Sequence, residues 1–261
     1  MTARLARTLS SVVAVVSVAA VVMTVACTNY YEIPIETPIR PKLDVSAFQR
    51  VLVAGFIAGG TEDVDSNLET TRLLRSQLRT KSDLRVIDTD VLPLMEKAVE
   101  GRHGDETAKD SEGTAPGVIK EDADLEPYEH IFADVDYWKG VGEEYQQPLI
   151  VTGTIMFAPQ ARSGIVQRDR EVYDSFGRRR VVPVRTYMER KGFVLKPRFI
   201  FIDGRTGAVL HSENFREEIL FNANQTSPAL SSYFELMDRL IPSFLNTLSS
   251  QKIKGSRVLL Q

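Results

Sequence analysis

The sequence has one cysteine, one tryptophan and three histidines in 261 residues, and each scarcity removes a class of chemistry. A lone Cys27 speaks against disulfides and against a cysteine-ligated metal site. His103, His130 and His211 are scattered, with no two at i, i+4, so neither a metal set nor a histidine-based triad is supported. No phosphate loop is present. Gly59-Gly60 lies between a strand and a helix, but Gly-x-x-x-x-Gly-Lys is absent and Glu62, Asp63 and Asp65 would repel an anion there. Asp63-Val64-Asp65-Ser66-Asn67 opens like a calcium loop, yet Leu68 stands where glycine is required and Leu74 where the closing glutamate belongs. Asp134 and Asp136, at i, i+2 on a helix, point apart. Basic excess is also missing: a formal charge of −3 gives no overall reason to seek nucleic acid. With no internal repeat, no nucleophile and no metal constellation, the expectation is a protein that is not an enzyme, with no metal and no cofactor.

The amino end is rich in what the rest lacks. Arg4 and Arg7 form a positive start, and Thr8 to Ala26 is small or apolar with a valine-rich centre, the pattern of an export signal. Thr24-Val25-Ala26-Cys27 resembles the lipobox of bacterial lipoproteins, in which a small residue precedes an obligatory Cys. The resemblance implies cleavage after residue 26 and lipid on Cys27. Two or three acyl chains anchor stably where one does not. Thr28 follows the Cys where Asp would favour retention, which implies the outer membrane. An uncleaved transmembrane helix and an ordinary signal leaving a free thiol are the alternatives. Removing the signal takes the formal charge from −3 to −5, because Arg4 and Arg7 go with it.

Beyond Cys27, Pro34, Pro38 and Pro41 predict an extended tether over 27–45. A single domain over 46–255 follows, large enough for a sizeable core. Val51 to Ile57 is a continuously apolar run, hence a buried strand. Ser66 with Glu69 reads as a capping box opening a helix that ends near Ser82. Leu84 to Asp88 is a second strand. Residues 100–125 are too poor in apolar side chains to order themselves, so a disordered insertion is expected there, with a short helix over 91–99 before it. Ile131 to Tyr145 reads as a helix, and Leu149 to Phe157 is the clearest strand of all. Phe193–Asp203 and Ala208–Leu220 form a hairpin around Asp203-Gly204-Arg205-Thr206-Gly207. Ser227-Pro228 opens a final helix whose apolar residues, from Leu230 to Leu248, keep helical spacing. Strand, helix, strand at the start predicts an α/β (α+β) fold: a single mixed sheet with helices packed on one side.

Between these elements, 164–190 reads as a projecting, charged hairpin around Ser175-Phe176-Gly177. With it comes the one basic concentration, Arg178-Arg179-Arg180 with Arg185, Arg190, Lys191, Lys196 and Arg198 beyond. Two readings stand: a solvated tip neutralised by Asp169, Glu171 and Asp174, or a contact for anionic headgroups, lipopolysaccharide or an acidic partner.

The order of pieces, with Ile150-Val151-Thr152-Gly153-Thr154 and then Ile202-Asp203-Gly204-Arg205-Thr206-Gly207-Ala208-Val209, is similar to the domain shared by the amino-terminal part of TolB, the curli-secretion lipoproteins and the lipoprotein activators of penicillin-binding proteins. The resemblance covers most of 50–250. It implies an envelope location and protein–protein work, and it carries over no catalytic residues. The expectation is therefore a non-enzymatic outer-membrane lipoprotein facing the periplasm. It would be held to the membrane through Cys27 and serve as an accessory, assembly or binding module of an envelope complex, with Arg178, Arg179 and Arg180 as partner contacts. The alternative is a ring-forming subunit of a curli-type secretion channel. Intact mass of the membrane-extracted chain checks the anchor: loss of residues 1–26 plus acyl chains is expected, and Cys27→Ala should abolish both. A full-length, unacylated wild type would leave a transmembrane anchor instead.

Overall fold

The computed structural model describes residues 30–102, 119–222, 224–225, 227–249 and 251–260. The signal over 1–26, Cys27 and His103 lie outside the described residues. In chain order the elements are β1 (Tyr30–Ile39), β2 (Arg50–Gly60), α1 (Ser66–Lys81), β3 (Arg85–Val86), α2 (Leu94–Arg102), 3-10 turns at Asp122–Asp124 and Glu126–Ala133, α3 (Val135–Glu144), β4 (Leu149–Tyr173), β5 (Arg179–Asp203), β6 (Val209–Asn214), β7 (Glu217–Asn222), α4 (Ala229–Leu248) and β8 (Gln251–Leu260). The chain divides into two units, one made from its two ends and one from Pro41–Ser249.

In the end unit, β1 and β8 pair antiparallel from Tyr30↔Leu260 to Ile39↔Gln251. The proline-containing stretch expected as an open tether is thus extended over this length, but it is paired with the carboxy-terminal strand. Its prolines fit a two-stranded ribbon, because every strand there is an edge strand.

The larger unit holds a mixed sheet in the order β3-β2-β4-β5-β6, with β7 also on β5. β2 runs parallel to β3 and β4, while β5 is antiparallel to β4, β6 and β7. The α/β fold and its mixed sheet are as expected. Placement of the helices on one side is not: they cover both faces. Val51, Val53, Phe56, Leu149, Phe157, Phe199 and Phe201 point to the face packed by α1 and α4. Leu52, Ala54, Ile57, Ile150, Met156, Ile200 and Ile202 point to the face packed by α2, α3 and the second 3-10 turn, with Trp138 at its centre. A strand buried on both faces has no reason to alternate apolar with polar, which accounts for the continuous run in β2. A bulge between Val53 and Gly55, where Gly55 takes φ 127°, shifts the register so that both flanking segments stay buried.

Several boundaries differ from the sequence reading for local reasons. Asp65, not Ser66, caps α1, accepting from the Leu68 amide at 3.0 Å. Pro228 occupies the cap of α4, one place before the expected first turn. The stretch over 131–145 is two pieces, because Asp134 ends a 3-10 turn and caps α3 through the Tyr137 amide. β3 is only two residues long. The Arg75 guanidinium takes over from it along the edge of β2, donating to Val53 O at 2.8 Å and to Thr89 O. Of the expected disordered insertion, 103–118 lie outside the described residues. Its carboxy-terminal part is ordered, with Ile119 and Leu125 buried in the second core.

The β5–β6 turn sits directly under α3. A Cβ on Gly142 would lie 1.7 Å from Gly204 O, whereas one on Gly140 meets nothing within 4 Å. Gly142→Ala is therefore expected to destabilise the fold by roughly 1–3 kcal/mol. Gly140→Ala, in the same helix, should stabilise it by up to about 1 kcal/mol. Urea unfolding of the two variants checks this, and equal effects would mean that α3 does not pack on the turn.

Candidate functional site

β4 and β5 are far longer than the sheet that holds them. They pair without a register shift from Leu149↔Asp203 to Tyr173↔Arg179. β2 leaves β4 at Phe157, and β7 leaves β5 at Arg190. Past those points, 161–173 and 179–189 form a two-stranded arm of roughly 40 Å with both edges unpaired among the described residues. The projecting hairpin expected over 164–190 is present, and it is one continuous structure with the central strands.

Side chains on the arm are almost all exposed. They include large apolar ones: Phe176 at 81%, Ile165 at 72%, Tyr187 at 67% and Tyr173 at 66%. Ile165 and Tyr187 are directly opposed across the strands. Asp174 organises the tip. Its carboxylate accepts from the Phe176 and Arg178 amides at 2.9 Å each and from the Arg178 guanidinium at 3.0 Å. Gly177, at φ 75°, closes the turn in a conformation that suits glycine. The Arg178 amide above all, helped by the Phe176 amide and the Arg178 side chain, holds the Asp174 carboxyl below the usual aspartate value.

The three consecutive arginines do not form one patch. Arg178 is folded back on the turn, paired with Asp174, and its guanidinium lies 5.4 Å from the Phe176 ring centre. Arg179 pairs with Glu171, and Arg180, as the next strand residue, points to the opposite face. The structure instead sets Arg180 on one face with Arg162, Arg168, Arg170 and Arg190, of which the sequence reading named only Arg190 within its basic concentration. The signal was available: once the turn is centred on Phe176, the pairing partner of every arm residue follows by counting.

The other residues weighed for chemistry are apart from the arm. His130 Nδ1 lies 3.0 Å from Pro127 O at the end of a 3-10 turn. His211, on β6, is 3.5 Å from Glu213, whose carboxylate also accepts from Thr247 and Lys42. Among the described residues no three of His, Cys, Asp and Glu come together as a metal set, and no helix is long and apolar enough to cross a membrane.

No family model matches the chain, and no curated protein matches it. Among solved structures it is similar to lipoprotein GNA1162 from Neisseria meningitidis, with a TM-score of 0.30 and 12% identity, over 76% of this chain and 98% of that one. It is also similar to a neuraminyllactose-binding hemagglutinin homolog from Helicobacter pylori, with a TM-score of 0.33 and 8% identity, over 80% and 86% of the two chains. At these TM-scores the likenesses carry no argument about what this chain does.

A depressed Asp174 pKa means that its contribution to tip order is fully present above the ordinary aspartate value and is lost as pH falls through the lowered one. Hydrogen-exchange protection of the Phe176 and Arg178 amides should accordingly persist at neutral pH and collapse only on strong acidification. In Asp174→Ala it should be missing throughout. Unchanged protection in the variant would remove Asp174 as the organiser of the turn.

Proposed function

We propose that this chain is a non-enzymatic outer-membrane lipoprotein facing the periplasm, anchored through Cys27, and that it serves as an accessory, assembly or binding module of a cell-envelope complex. The lipobox-like Thr24-Val25-Ala26-Cys27 supports the location. The observation that carries the docking role is the arm, a long projection from a well-packed sheet with Ile165, Tyr173, Phe176 and Tyr187 left 66–81% exposed. Apolar and aromatic side chains presented together at this exposure are typical of contact surfaces. Their place on paired strands holds them ready for a partner at little ordering cost. Arg178 and Arg179, tied to Asp174 and Glu171, lie at the rim of that surface, where charge governs specificity and on-rate more than affinity.

A second reading is the ring-forming subunit of a curli-type secretion channel. It is favoured by the two unpaired edges of the arm, to which the arm of a neighbouring copy can add by strand pairing. Strands of this length suffice to cross a bilayer. The arm's faces oppose it, since Asp169, Glu171 and Glu189 occupy one and the five arginines the other, leaving no apolar face for lipid tails.

Photo-crosslinking in the intact envelope separates these readings. A crosslinker at Ile165 or Tyr187 is expected to trap a protein other than this chain, while one at Arg72, exposed on α1, traps none. Adducts of the chain with itself from both arm positions would favour the ring. No adduct from either would end the docking proposal.

A further inference from the structure

The two faces of the arm differ in charge, and the difference points to a ligand. In an antiparallel pair, directly opposed residues share a face and successive residues alternate. The unbroken β4–β5 register therefore fixes the face of every arm residue. One face carries Arg162, Arg168, Arg170, Arg180 and Arg190, and no carboxylate over its paired residues 162–172 and 180–190; Asp174 beyond them is engaged in the turn. Between these arginines stand Val166, Val172, Val182, Val184 and Met188. The opposite face has all three acids of the arm strands, Asp169, Glu171 and Glu189, and pairs two of them with Arg179 and Lys191. On the arginine face only Arg162 has a carboxylate partner, Glu218 on β7 at the base of the arm, 2.8 Å away. Arg168, Arg170, Arg180 and Arg190 are exposed and have none among the described residues.

We propose that this arginine face is a docking surface for an anionic phospholipid bilayer. Like charges gathered on one face repel one another, and the neutralising acids stand on the wrong side to relieve them, so a surface of phosphates is the electrostatic complement. Guanidinium binds phosphate in a bidentate way that an ammonium does not match, and all five cations on this face are arginines. The valines and Met188 supply apolar surface at the same level, over which the arginine stems lie while their heads reach the headgroups. Phe176 at the tip, 81% exposed, adds apolar surface beyond the strands. An acidic protein would need carboxylates fixed to match the strand spacing, whereas lipids move laterally and meet any spacing. A second copy offering the same face would set arginine against arginine.

The proposal deepens the docking role by assigning one face of the arm to lipid and leaving the Ile165–Tyr187 face to protein. It rests on the arm as contact element, and its test needs no envelope, so the crosslinking result and this one fail separately. Full-length chain carrying Cys27→Ala is mixed with vesicles of phosphatidylcholine alone or with added phosphatidylglycerol, and the bound fraction is read by sedimentation. The same amino end meets both vesicles, so the difference between them reports charge. Two triple variants remove equal charge from opposite faces: Arg168→Gln with Arg170→Gln and Arg180→Gln, against Arg179→Gln with Arg185→Gln and Lys191→Gln. A basic residue near an anionic surface is worth about fivefold in partitioning, so the first triple should lose on the order of 100-fold in preference for the anionic vesicles. The second should keep it, and the wild-type preference should fall steeply with added salt.

Equal loss in both triples would reduce the effect to net charge and overturn the proposal. So would loss in neither, or a wild type with no anionic preference. Polyglutamate bound with the same face selectivity, in the absence of vesicle binding, would assign the face to an acidic protein instead. If either triple lowers the thermal midpoint, the single variants Arg170→Gln and Arg185→Gln carry the same comparison.

Discussion

The uninterrupted pairing of β4 with β5 is the constraint on which the rest of the larger unit depends. Its lower part is the centre of the sheet, buried on both faces: Val151, Phe157, Phe199 and Phe201 meet α1 and α4, while Ile150, Met156, Ile200 and Ile202 meet α2 and α3. Its upper part has, among the described residues, neither a helix above nor a strand beside it. Because no bulge separates the two, the core sets the register and so dictates which side each arm residue presents. A single-residue slip in the core would exchange the phenylalanines of one packed face for the isoleucines of the other, so the arm inherits a register that its own exposed side chains would not specify.

Long two-stranded ribbons are unstable alone in water. This one is held at its root by the doubly covered core and at its tip by Asp174, whose carboxylate gathers two backbone amides and the Arg178 guanidinium. Between those points the side chains are free to serve a partner and not the fold. Apolar groups such as Ile165 and Tyr187 remain in water, and four arginines on the other face keep no carboxylate among the described residues. Neither arrangement serves stability, which is why contact function is sought on the arm and not in the clefts of the sheet. The ion pairs there, Lys196–Asp122 and Arg198–Glu129, already satisfy their charges.

Much of the fold was legible because its elements are strongly patterned. The continuous apolar runs of β2 and β4, the β5–β6 turn with Gly207 at φ 74°, and the apolar stripe of α4 all fall where the sequence places them. Illegible features were those in which two distant segments share one job. Arg75 completing the edge of β2, Ile119 and Leu125 sealing the second core from within a polar stretch, and the β1–β8 pairing have no local signature. The same holds for the site. The sequence showed a charged hairpin and drew the eye to Arg178, Arg179 and Arg180 because they are adjacent, but adjacency in a strand separates side chains.

By itself, the sequence determined the α/β composition, the existence of the arm, its charge, and an amino end patterned for export with Cys27 in a lipobox-like setting. These depend on short-range periodicity, propensity and motif, which neighbouring residues carry among themselves. Only the tertiary structure decided that helices cover both faces of the sheet and that five arginines spread over twenty-nine residues share one side of the arm. Both follow from strand register, which is set by burial of side chains far apart in the chain and is therefore written in no local stretch of it.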